Sequence, residues 1–146
     1  MKTQLRKAKR EELREIAEIY AREFSKPPYN ESWTRRKAEK KVKYFFDNYD
    51  LYAIRFDGQL AGFITLNPNF MCPGDVAFGE EFAIKKELQG RNIGKIVLKE
   101  LFEIYRKKGF KRIIGIANTS SRALSLYEAL GFKISKDEVI VEKELK

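Results

Sequence analysis

"EEFAIKKELQGRNIGKIVLKELFEIYRKKG", residues 80–109, is the stretch whose reading decides the fold. A short apolar-centred run ends in a polar knot, QGRNIGK (89–95), which opens straight into an amphipathic pattern. Ile93, Val97, Leu101, Ile104 and Tyr105 recur there at helical spacing. Lys107, Lys108 and Gly109 supply basic residues and a glycine where a helix C-terminus favours them. The mouth of the helix is the informative part. The first N–H groups of an α-helix have no intrahelical partners and carry the positive end of its dipole. A backbone that curls there with N–H groups pointing inward makes a seat for a diphosphate. Gly90 and Gly94 put no Cβ against such a ligand, and Asn92 is the side-chain-bearing type that best tolerates a left-handed turn. Arg91 and Lys95 add mobile cations. Spacing excludes two nucleotide motifs: Gly90 and Gly94 stand one residue too close for a Walker A loop, and no G-x-G-x-x-G is present.

Outward from this stretch, 146 residues are expected to form one domain, 1–146, long enough to bury a core. Apolar residues at 43% and charged residues at 35% are a globular balance. With one cysteine and no histidine, the chain has no intrachain disulfide, no Cys/His zinc site and no histidine-based triad or dyad, and no metal is expected. No apolar run approaches a membrane span, and the basic N-terminus lacks the apolar core of a signal peptide, so a cytoplasmic protein without membrane partners is expected. The net charge of +9 gathers at the two ends of the chain and suits any polyanion, a phosphorylated cofactor included.

Helical spacing from Arg10 places Leu13, Ile16, Ala17, Ile19, Tyr20 and Phe24 on one face, with Glu11, Glu12 and Glu15 in the first turns where the dipole favours them. SKPPYNES (25–32) breaks this helix, and a second runs from about Ser32 to Asn48 with Val42, Phe45, Phe46 and Tyr49 on one face. LYAIRFDGQLAGFITL (51–66) alternates around Asp57-Gly58, a hairpin signal. VAFGEEFAI (76–84) is a strand, FKRIIGIAN (110–118) a buried strand, and SSRALSLYEALG (120–131) a short helix closed by Gly131. FKIS (132–135) and EVIVEKEL (138–145) read as two more strands, and TQLRKA (3–8) as a further one. Strand, helix and strand in succession from residue 76 imply a parallel pair with a right-handed crossover.

The segment FAIKKELQGRNIGKIVLKEL (82–101) resembles the acetyl-CoA-binding motif of the GNAT superfamily of N-acetyltransferases, [QR]-x-x-G-x-[GA]. Gln89 takes its first position and Gly94 its last, while Asn92 stands where the family has glycine. A second segment, NTSSRALSLYEALGF (118–132), resembles the family's later A-x-x-x-Y-[EK]-x-x-G-F element. Ser120 replaces an asparagine there and can cap the helix. The resemblance implies an α/β (α+β) GNAT fold. Its mixed, mostly antiparallel sheet has about six or seven strands, flanked by about four helices, and a splayed parallel strand pair holds the cofactor.

The resemblance also implies direct acetyl transfer from acetyl-CoA to an amine of a small molecule, peptide or protein. In that scheme Phe82, Ala83, Ile84, Gln89, Gly90, Arg91, Asn92, Ile93, Gly94, Lys95, Asn118 and Tyr127 contact the cofactor. Backbone N–H groups of Phe82 and Ile84 face the pantetheine arm, and Tyr127 is the candidate acid beside the sulfur. An amine with a pKa near 10 must lose a proton before it attacks. Glu80 and Glu81, adjacent in one strand, point to opposite faces. Strand parity groups Glu80 with Phe82 and Ile84, which makes it the preferred base; a bulge would exchange the two. Tyr29, Trp33 and Phe70 are candidate acceptor-binding residues, beside Tyr44 and Phe45, and aromatic rings near acidic residues suit an amine-bearing cation. A homodimer is compatible with the resemblance.

Two other readings remain open at this level. One is a domain of the same fold that binds acyl-CoA without turnover. The other is a basic nucleic-acid-binding domain, which accounts for the charge but leaves QGRNIG and YEALGF without a role and shows no binding motif. No nucleic-acid partner is therefore expected.

Overall fold

The computed structural model describes residues 2–145. Five strands and four helices follow one another as β1 (Thr3–Lys7), α1 (Leu13–Phe24), α2 (Arg35–Asn48), β2 (Asp50–Phe56), β3 (Gln59–Asn67), β4 (Val76–Ile84), α3 (Ile93–Lys107), β5 (Arg112–Gly115) and α4 (Arg122–Ala129). The sheet runs in the order β1-β2-β3-β4-β5, antiparallel except for the parallel pair β4–β5. That topology follows from the connections. Asp57 and Gly58 both adopt positive φ, 48° and 81°, the left-handed pair that a tight antiparallel hairpin requires between β2 and β3. α3 is the crossover that a parallel return demands.

Helices cover both faces of the sheet. On one face α1 and α2 bury Ile16, Ile19, Tyr20, Val42 and Phe45 against Leu51, Phe63 and Ala83. On the other, Leu98, Leu101 and Tyr105 of α3 pack on Tyr52, Ile64, Leu66 and Ala77. Each fully buried aliphatic side chain contributes roughly 1.5–3 kcal/mol, so the two faces together hold the fold. Glu12 has a larger part than favouring a helix dipole. It is buried and receives Arg6 through both oxygens (2.9 and 2.8 Å), Arg55 (3.0 Å) and the Lys9 N–H (2.8 Å), tying β1, β2 and the start of α1 together.

β4 carries a bulge that decides which side chains face which helices. Thr65 pairs with Glu81 but Leu66 pairs with Gly79, leaving Glu80 as the extra residue. The consequence is visible in the core: Ala77 lies in the α3 cluster and Ala83 in the α1–α2 cluster, although both are odd-numbered. Simple alternation, which grouped Glu80 with Phe82 and Ile84, therefore fails across this bulge.

Several expectations change at the edges. The second helix begins at Arg35, with Thr34 accepting the Lys37 N–H at 3.1 Å, a turn later than Ser32. β5 is four residues long and half-exposed, not the buried strand expected over 110–118, because no further strand covers its outer edge. FKIS and EVIVEKEL form no strands, so the sheet has five strands among the described residues instead of six or seven. Strand propensity needs a half-buried surface to act on, and Val139 and Val141 find none, standing 85% and 87% exposed. Glu138 of this segment meets Arg112 of β5 at 3.8 Å.

Candidate active site

The β4–β5 ladder closes at Gly79 and Gly115, one residue before the bulge. β5 ends at that rung, and β4 continues to Ile84 without a partner on this side. The hydrogen-bond phase of β4 shows which groups look into the gap. Lys85 N–H bonds the Ala61 carbonyl on β3 at 2.8 Å, so Ala83 and Glu81 share that direction while Phe82 and Ile84 turn their N–H groups toward the gap. The Ile84 carbonyl on the same side accepts from the Gln89 side chain at 2.9 Å. Gln89 also reaches Glu23 (3.2 Å) and accepts from Arg122 at the start of α4 (3.4 Å), so it braces β4, α1 and α4 around the knot.

Within the knot, Gly90 and Asn92 have φ of 80° and 63°. Asn92 is the N-cap of α3 in left-handed conformation, which answers how the chain makes this turn without the family's glycine. The first bond into the helix runs from Ile96 N–H to the Asn92 carbonyl at 3.1 Å, so the N–H groups of Ile93, Gly94 and Lys95 precede the ladder. Ile93 itself is buried against Ile54, Phe56 and Val97, anchoring the turn from below. Gly94 has a different setting from the expected phosphate path. A Cβ there would meet Leu126 Cδ2 at 3.1 Å and Phe82 Cζ at 3.4 Å, so the missing side chain keeps open the space between α3, β4 and α4. Arg91, Lys95 and Arg122 are exposed around this mouth.

α4 starts from a capped turn. Ser121, not Ser120, is the N-cap: its hydroxyl accepts the Leu124 N–H (3.3 Å) and donates to the Asn118 carbonyl (2.7 Å). Asn118 holds the loop through Oδ1, which accepts the Ser120 N–H at 2.8 Å. Tyr127 lies on the inner side of this helix, its ring 6.5 Å from Phe82 and 5.3 Å from Phe132. Burial raises its pKa above the ordinary tyrosine value, with Tyr29 and then Glu81 adding to the effect. The phenol is therefore held protonated.

Because of the bulge, both glutamates face the α1–α2 side. Glu80 pairs with Lys41 of α2 at 2.9 Å. Glu81 accepts a hydrogen bond from the hydroxyl of buried Tyr20. Burial pushes the Glu81 carboxyl up to about 7, with Glu31 and Glu80 adding repulsion, while the Tyr20 hydrogen bond and Lys41 oppose the rise. Tyr20 is edge-on to Trp33 at 4.4 Å, and the Trp33 indole donates to Glu31 at 2.9 Å. Tyr29 packs on Phe24 at 4.8 Å. Phe70 is apart from these rings and stacks on Phe78 at 4.5 Å, toward the start of β4.

Tyr20, Glu31, Lys41, Tyr49 and Arg122 were not singled out for a site from sequence. Tyr20 carried only its core spacing, and nothing in the sequence tied Lys41 to a strand 39 positions on. The polar tip on a core-spaced tyrosine was the one available signal.

A sequence profile described as the acetyltransferase (GNAT) family matches residues 13–132, and the chain belongs to that family. Solved structures agree in fold. A possible acetyltransferase from Clostridium difficile 630 superposes with a TM-score of 0.81 at 15% identity, covering 99% of this chain and 98% of that one. The aminoglycoside N-acetyltransferase AAC(6')-Iy in complex with CoA gives 0.74 at 14% identity, with 99% and 96% covered. A ribosomal-protein-alanine N-acetyltransferase from Brucella melitensis biovar Abortus 2308 gives 0.74 at 13%, with 97% and 100% covered. No curated protein matches the sequence. Among the described residues no helix is long and apolar enough to cross a membrane.

Proposed function

We propose that the protein is an acetyl-CoA-dependent N-acetyltransferase that passes the acetyl group directly to an amine. The observation that carries this reading is the end of the β4–β5 ladder at Gly79 and Gly115, which opens a backbone-lined gap between the knot and Glu81. The residues present fit a CoA thioester. Left-handed Gly90 and Asn92, the N–H groups that precede the α3 ladder and the cations Arg91, Lys95 and Arg122 suit its diphosphate. The N–H groups of Phe82 and Ile84 suit its amide arm, and Asn118, three residues past the end of β5, is a candidate contact for the same arm. When bound, acetyl-CoA supplies an acyl group already activated as a thioester.

Glu81 is the residue we assign as base. With its pKa at about 7 it is ionised in a useful fraction near neutral pH and can take a proton from an incoming ammonium group, directly or through one water. Tyr20 occupies one of the carboxylate's lone-pair sites and fixes its orientation, leaving others for the acceptor. Glu80 is held by Lys41 and serves to keep negative charge beside Glu81. Tyr127, kept protonated, donates a hydrogen bond or proton to the departing thiolate. The test is thiol release from acetyl-CoA with a panel of amines, run beside thermal melting with CoA and with ATP. Release with at least one amine and stabilisation by CoA alone are expected. Stabilisation by CoA with no release from any amine would leave an acyl-CoA-binding domain without turnover, and equal stabilisation by ATP would end the CoA assignment.

A further inference from the structure

One face of α2 and its flanks form an open groove beside Glu80. Trp33, Lys37, Lys40, Lys41, Tyr44 and Tyr49 line about 510 Å³ there. Lys37, Lys40, Lys41 and Tyr44 stand at the spacing of neighbours on one stripe of α2, and Trp33 lies just before its N-cap. Its charges are sorted by depth. Deepest, Lys41 is committed to Glu80 at 2.9 Å, with Glu81 the next residue along β4, while Glu31, tied to Trp33, is exposed at the edge. At the rim, Lys37 and Lys40 have no acidic partner among the described residues. Between floor and rim stand the rings of Trp33, Tyr44 and Tyr49. Tyr44 is 49% exposed, and its ring lies 5.4 Å from that of Tyr49.

A simple cation matches the floor but gains nothing from the rim. A polycation would set its remaining ammonium groups against Lys37 and Lys40, an arrangement that selects against it. A molecule with an ammonium at one end and an anionic group at the other satisfies both levels, with its body on the aromatic walls. We infer that the groove selects a zwitterionic small amine as acceptor, its carboxylate or phosphate at Lys37 and Lys40 and its ammonium at Glu80 and Glu81. The inference rests on the acetyltransferase reading and narrows it to a substrate class. The net charge of +9 acts in the same direction at longer range by disfavouring net-cationic amines.

The test uses matched acceptor pairs with the full chain: 4-(aminomethyl)benzoate against benzylamine, and O-phosphotyramine against tyramine, with spermidine as the polycation. The anionic member of at least one pair is expected to show the higher kcat/KM, the pair that responds naming the group as carboxylate or phosphate, and spermidine is expected to be the poorest. In the Lys37→Gln/Lys40→Gln protein the ratio of anionic to neutral kcat/KM should fall by about tenfold, the scale of losing two exposed charge contacts. Equal use of both members in both pairs, a preference for spermidine, or an unchanged ratio in the variant would overturn the inference while leaving amine acetylation standing. Thermal melting in the presence of CoA separates the two readings when no amine turns over. Stabilisation by the anionic amines that is lost in the variant then supports the groove alone, and no such stabilisation overturns it.

Discussion

Across β4 the two sides of the site are built from different materials. On the α3 side the knot is backbone: two left-handed residues, the N–H groups at a helix start and the strand N–H groups of Phe82 and Ile84. Its parts lie within about a dozen residues of sequence. On the α1–α2 side the site is made of side chains brought from far apart, Tyr20 to Glu81 across 61 positions and Lys41 to Glu80 across the whole β2–β3 hairpin. A seat made of backbone needs only permissive residues in order, and tolerates variation around them. A seat made of side chains depends on packing, and changes with each substitution in α1 or α2. The first suits a donor common to many enzymes, the second an acceptor particular to one.

Tyr127 stands where the two sides meet, and the largest effect is expected there. Tyr127→Phe removes one hydroxyl and keeps the ring contacts with Phe82 and Phe132. Turnover should fall by roughly ten- to a thousandfold, the scale of losing an acid catalyst or a transition-state hydrogen bond. CoA affinity and melting temperature should change little. Unchanged turnover would make Tyr127 a packing residue only.

The backbone side is probed next by Gly94→Val. Its new side chain would press on Leu126 and Phe82, and CoA binding measured by calorimetry should weaken by about 10- to 100-fold while the fold persists. Normal CoA affinity in that protein would move the site away from this cleft.

Away from both sides, Glu12 tests whether the frame beneath them is as rigid as its contacts imply. Glu12→Gln should cost about 1–3 kcal/mol in chemical denaturation at neutral pH, since Arg6 and Arg55 lose charge-assisted partners. Burial alone would raise the Glu12 pKa, but the bonds from Arg6, Lys9 N–H and Arg55 hold it below the usual 4.5. Its stabilisation is therefore present above about 4.5 and lost as pH falls through the lowered value, so the gap between the two proteins should shrink in acid. A gap that is constant with pH would deny the ionic origin.

At Glu81 the dependence on pH is expected to have the opposite sign. A carboxyl raised from 4.5 to about 7 contributes stability that is full below 4.5 and lost as pH rises through 7. Glu81→Gln should gain in melting temperature relative to the parent at pH 8 compared with pH 5. A relative loss at pH 8 would show that the ionised carboxylate is held favourably.

The same contrast explains what could be read from residues alone. The hairpin at Asp57-Gly58, the limits of β4 and the knot are local features, and each followed from turn chemistry or periodicity. The bulge at Glu80 left no mark in the sequence, since VAFGEEFAI alternates no differently for having one; it became visible only through the pairing of Thr65 and Leu66. With it went the placement of both glutamates. Tyr20 was legible as core but not as the partner of Glu81, because that contact depends on how α1 sits on the sheet. EVIVEKEL failed for the converse reason: its composition favours a strand, and the fold gives it no ladder.

Glu81 is the proposed meeting point, where the base of the side-chain half faces the donor seat of the other. The direct measurement is kcat/KM as a function of pH for the parent, Glu81→Gln and Glu80→Gln, with one acceptor whose own amine pKa stays near 10. An acidic limb with an apparent pKa near 7 is expected in the parent, retained in Glu80→Gln and shifted toward lower pH as charge beside Glu81 is removed. In Glu81→Gln that limb is absent, and activity rises only with the free amine. The same limb persisting in Glu81→Gln, or vanishing in Glu80→Gln instead, would overturn the assignment of Glu81 as base.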